Sequence, residues 1–131
     1  MDLTQIEERV DSVVPEIRFV IATQKSEGEF KNTAIAKSLE CYKKLFKFST
    51  RIFFENTTGL SAVYNIAIEE SMKSEALPEC FIFVHDDVEI HDLLLEQKLQ
   101  HYFTEYDVIG LAGSRKISFK SPLIAWHACE H

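Results

Sequence analysis

Phe81-Ile82-Phe83-Val84-His85-Asp86-Asp87-Val88-Glu89-Ile90 is an apolar, aromatic and β-branched run that passes directly into two adjacent carboxylates. The run reads as a strand, and the acids mark its carboxyl end. Adjacent carboxylates repel each other, so such a pair belongs where a metal ion, a hydroxyl or a basic partner offsets the charge. A strand-end turn in which Asp86 caps a backbone amide and Asp87 is solvated fits the same two residues. The flanking segments bear on the choice.

Toward the N-terminus, Ile17-Arg18-Phe19-Val20-Ile21-Ala22-Thr23 is a second β-branched and aromatic run, followed by a polar loop containing Gly28. Residues 30–46 carry Ile35, Leu39, Tyr42 and Phe46 at steps of four, three and four, which predicts an amphipathic helix. Thr50-Arg51-Ile52-Phe53-Phe54-Glu55 predicts another strand. The polar turn Asn56-Thr57-Thr58-Gly59 then opens a helix from about Leu60 to Lys73. Beyond the acidic pair, Asp92 is a suitable N-cap for a helix through Leu95, Leu99 and Phe103, and residues 106–113 read as a fourth strand. Residues 1–16, with Ile6, Val10 and Val13 among acids, predict an N-terminal helical extension, and residues 114–131 a terminal loop with an edge strand.

Strands alternating with helices predict an α/β domain spanning residues 1–131, with a mainly parallel sheet covered by helices on both faces. In such sheets ligands bind outside the carboxyl ends of the strands. Thr23, Glu55-Asn56, His85-Asp86-Asp87 and Gly113-Ser114-Arg115 are therefore expected at one edge.

With 131 residues, 46% of them hydrophobic, the chain has enough apolar side chains for one core. Its formal charge of -7 argues against general binding of nucleic acid or anionic membrane, which require a basic surface. No apolar run reaches the roughly 20 residues of a membrane-spanning helix, and the first residues lack the layout of a signal peptide, so a cytoplasmic location is the expectation. Cys41, Cys80 and Cys129 are odd in number and show no Cys-x-x-Cys spacing, which indicates neither a disulfide scaffold nor a zinc site.

The pattern Asn56-x-x-Gly59-Leu60-Ser61-x-x-Tyr64-Asn65-x-x-Ile68, followed by the strand that ends in Asp86-Asp87, resembles the donor half of family 2-like glycosyltransferases with the GT-A fold. The resemblance covers roughly residues 17–113. It implies a Rossmann-like nucleotide-diphospho-sugar transferase fold in truncated form, and a protein that binds a UDP- or GDP-linked sugar and transfers it to an unidentified acceptor. It also implies nucleotide contacts at Thr23, Glu55, Asn56, Gly59, Asn65 and Asp86, and a divalent metal, Mn²⁺ or Mg²⁺, held by Asp87 and Asp86. Two positions depart from the family pattern: His85 stands where an acid commonly opens the metal motif, and Tyr64 where an Arg often precedes the motif Asn.

No catalytic base is assigned, because the acceptor-binding half that the resemblance calls for has no counterpart after residue 113. A module that binds a nucleotide sugar without transferring it is the alternative expectation. A phosphoryl-accepting receiver domain also uses strand-end aspartates, but this chain has Thr23-Gln24-Lys25 where receivers carry acids. An uncovered sheet edge makes a homo-oligomer a further expectation.

Overall fold

Three of the predicted strands hydrogen-bond side by side as a parallel sheet, and the most deeply buried of them lies in the middle. The computed structural model describes residues 16–74, 78, 80–111, 116–117 and 129–130. Strand β1 (Ile17–Ala22) is flanked by β2 (Phe48–Phe53) and β3 (Cys80–Phe83), in the order β2-β1-β3. Ile17 pairs with both Phe48 and Cys80, and Val20 with both Arg51 and Phe83. A strand paired on both sides and covered on both faces can carry an almost unbroken apolar run. Ile17, Phe19, Val20 and Ile21 are accordingly all fully buried.

The alternation of side chains along β1 explains the two helical layers. Ile17, Phe19 and Ile21 join Phe30, Ile35 and Leu39 in one cluster, against which Leu95 and Leu99 also pack. This places α1 (Glu27–Phe30), α2 (Ala34–Tyr42) and the unit 1 part of α4 (Leu95–Tyr102) on the first face. On the opposite face Arg18 donates to Ser71 of α3 (Leu60–Lys73), and Arg51 pairs with Glu70 of the same helix. The observed fold is thus α/β, with a small three-stranded parallel sheet and helices on both faces.

The expected helix over residues 30–46 is divided. Thr33 donates its hydroxyl to the Phe30 carbonyl and accepts from the Ala36 amide, so α2 starts afresh at Ala34 behind an N-cap. Such local bonds compete with helix continuation. The strand expected over residues 106–113 is also corrected over 106–111, while residues 112–115, with the expected Gly113-Ser114-Arg115 cluster, lie outside the described residues. Residues 106–111 pair with no strand among the described residues, and Val108 and Leu111 are exposed. An apolar run alone does not make a strand without a neighbour to take its backbone hydrogen bonds.

The chain divides into two units, residues 1–100 and 101–131. In the second, Lys116–Ile117 (β4) and Cys129–Glu130 (β5) form an antiparallel pair of their own, and the rest of the segment expected to be a loop with an edge strand lies outside the described residues. The N-terminal helix expected over residues 1–16 lies, save for Glu16, outside the described residues. No helix among the described residues is long and apolar enough to cross a membrane.

Candidate functional site at the strand ends

Thr23 follows the last residue of β1, at the carboxyl end of the sheet, and is 3% exposed. Its amide donates to the Phe53 carbonyl (3.0 Å) and its carbonyl accepts from the Asn56 amide (2.8 Å), which ties the ends of β1 and β2. Its hydroxyl donates to Asp86 Oδ2 at 2.6 Å and accepts from the Lys25 amide at 3.2 Å. One threonine therefore joins the ends of all three parallel strands. The hydroxyl has a single proton, and Asp86 receives it.

The acidic pair lies in a turn closed by the Val88 amide on the His85 carbonyl. This turn and the segment after it are strapped along one side of α2. Ile35 donates its amide to the Asp86 carbonyl (3.2 Å), Ser38 Oγ accepts from the Ile90 amide (3.0 Å), and the Tyr42 hydroxyl donates to the Asp92 carbonyl. Positions 35, 38 and 42 recur at helical spacing, so one helix face presents a bonding group at each turn. Burial, followed by the neighbouring Asp92 carboxylate, holds the Tyr42 phenol above its ordinary range, which keeps its proton in place for this bond.

The two aspartates consequently differ. Asp86 is half-buried and held through both its side chain and its carbonyl. Asp87 is exposed, and its carboxylate has no hydrogen-bond or ion-pair partner among the described residues. The exposed Asp87 fits either reading of the pair. Asp86 caps a hydroxyl rather than an amide.

Glu55 begins the loop after β2 with a φ of 48°, in the left-handed region, and its amide donates to the Lys25 carbonyl (2.9 Å). Its side chain is exposed. Asn56 turns its amide group onto its own loop, donating to the Thr58 carbonyl (2.8 Å) and accepting from the Thr58 amide (3.3 Å). Gly59 is the N-cap of α3 with φ -59°, and open space lies where a Cβ would sit, so the turn itself does not demand glycine. Asn65 is exposed in the second turn of α3, and no hydrogen bond links it to the strand-end residues. Thr23, Glu55, Asn56 and Asp86 are thus linked by hydrogen bonds around the β1 end, whereas Gly59, Asn65 and Asp87 are not part of that network.

Tyr64, at the position where the family pattern often has Arg, packs its ring 4.6 Å from that of Phe83 and braces α3 against β3. The sequence reading missed Ser38 and the hydroxyl of Tyr42 as supports of the acidic turn. Their helical spacing with Ile35 was visible, but a polar residue on an otherwise apolar face gave the only signal.

Two carboxylates with free oxygens are a suitable donor set for a hard divalent cation. Among the described residues no three His, Cys, Asp or Glu side chains form a cluster able to hold a metal ion by themselves. An ion at Asp86-Asp87 would take its remaining ligands from substrate phosphates and water, as Mg²⁺ commonly does.

Comparison with known proteins gives no match: no family model matches the sequence, and neither a curated protein nor a solved structure matches the chain. The fold and site define a small parallel α/β unit with a polar cluster at its strand ends.

Proposed function

We propose that this chain is a glycosyltransferase-like protein of the GT-A type, which binds a nucleotide-diphosphate sugar at the strand ends and transfers the sugar to an acceptor. The observation that carries the reading is the convergence of Thr23, the Glu55-Asn56 loop and Asp86 at the carboxyl end of one parallel sheet, where α/β folds bind ligands. The motif from Asn56 to Asn65, next to that edge, supports the same reading.

Within this proposal the ends of β1 and β2 shape the nucleotide pocket, and the exposed Asp87 faces the diphosphate. Mn²⁺ or Mg²⁺, when bound by Asp87 with Asp86 beside it, supplies Lewis-acid stabilisation of the charge that develops on the nucleotide diphosphate as the glycosidic bond breaks. The straps to α2 hold the acidic turn in place before substrate arrives, which limits the reorganisation needed at that moment.

Calorimetric titration of the 131-residue protein with UDP and GDP in the presence of Mn²⁺ is expected to show saturable binding. Absence of binding by any nucleotide diphosphate would sink the proposal. Asp87→Ala is expected to abolish the metal-dependent component while changing folding stability by less than about 0.5 kcal/mol, because the side chain is exposed and has no partner among the described residues. Binding with neither transfer nor slow hydrolysis of the sugar nucleotide would instead identify a donor-binding module without catalysis.

A further inference from the structure

We infer that Thr23 is a positioning residue which acts on the nucleotide only through Asp86. The inference rests on the donor-site reading above and names how that site is built. A residue that touched the nucleotide directly would need an exposed polar atom, and Thr23 is 3% exposed. Its one hydroxyl proton goes to Asp86 Oδ2 at 2.6 Å, and the Thr23 hydroxyl oxygen accepts from the Lys25 amide at 3.2 Å. Its amide and carbonyl are committed to Phe53 and Asn56.

The consequence falls on Asp86. Its backbone is held by the Ile35 amide and its Oδ2 by Thr23, which restrains the carboxylate and leaves Oδ1 with no hydrogen-bond donor among the described residues. Asp87, next to it, has no such restraint among the described residues. The pair therefore divides into a fixed carboxylate, set by Thr23, and an adaptable one.

The test is a double-mutant cycle read by calorimetric titration of UDP with Mn²⁺, with the thermal midpoint of each variant measured alongside. Thr23→Val keeps the shape and removes the hydroxyl, and is expected to weaken binding by about 10-fold or more, the scale of one hydrogen bond to a charged group. Thr23→Ser, which restores the hydroxyl, should recover most of the affinity. In an Asp86→Ala background the change from Thr to Val should alter affinity by less than about twofold, because partners in one network are not additive. Equal losses in both backgrounds, or an unchanged affinity for Thr23→Val, overturn the inference and leave the donor site standing. Failure of the wild type to bind overturns both. Loss of thermal stability with affinity retained would mark Thr23 as a strand-end tie only and also overturn the inference.

Discussion

Glu55 shows at the scale of one residue how the strand ends are built under strain. A side chain at φ 48° brings Cβ close to the following carbonyl, which costs about 1–2 kcal/mol relative to the right-handed region. The bonds from the Glu55 amide to Lys25 and from the Asn56 amide to Thr23 hold the turn in that conformation. Glu55→Gly removes the clash but makes the unfolded chain more flexible, so a net gain of about 0.5–1 kcal/mol is expected in a denaturant melt. A lower stability would show that the Glu55 side chain is engaged and that its backbone is not strained. Residue types at the strand ends were readable from the sequence, and so was their common edge. That Thr23 bonds to Asp86, 63 positions away, was not, because no local pattern encodes which hydroxyl meets which carboxylate.

At the scale of elements, β2 and α3 are tied by Arg51, whose Nε lies 2.8 Å from a Glu70 oxygen and whose guanidinium lies 4.0 Å from the Phe53 ring centre. The hydrogen bond from Arg51 holds the Glu70 carboxyl below the usual carboxylate range. A carboxylate with a depressed folded-state pKa stabilises the fold above its unfolded value, and this contribution is lost as pH falls through the folded value. Both partners are substantially exposed, so the contribution is at most about 1 kcal/mol at neutral pH and shrinks in salt. Glu70→Gln should lower stability slightly at pH 7 and leave it unchanged well below pH ~4, near the ordinary Glu value. Urea melts at the two pH values check this, and an equal loss at both would refute the ion-pair origin. Strands β1 and β2 and helix α3 lie close to where apolar periodicity put them. The interruption before α2 was harder to see, since it depends on Thr33 capturing backbone groups that an uninterrupted helix would bond elsewhere.

At the scale of the molecule, the first unit depends on β1. Phe19 is fully buried at its centre and meets the Phe48 ring edge-on at 5.1 Å, within the cluster formed with α2. Phe19→Ala should cost about 3–5 kcal/mol. Against the usual 5–15 kcal/mol of a domain, that loss should bring thermal unfolding down by many degrees. A shift of only a degree or two would mean that β1 is not the centre of the core. Apolar periodicity and turn residues act locally, so the three strands of the parallel sheet, the apolar helix faces and the acids past a strand end were legible in the sequence, while the run over 106–111 was not. That Asp86 is held by Thr23, that Asp87 has no partner among the described residues, and that Ser38 and Tyr42 support the acidic turn came only with the tertiary structure. Those pairings join segments far apart in the chain, and they form only when the β2-β1-β3 order brings the strand ends together and α2 lies beside the turn.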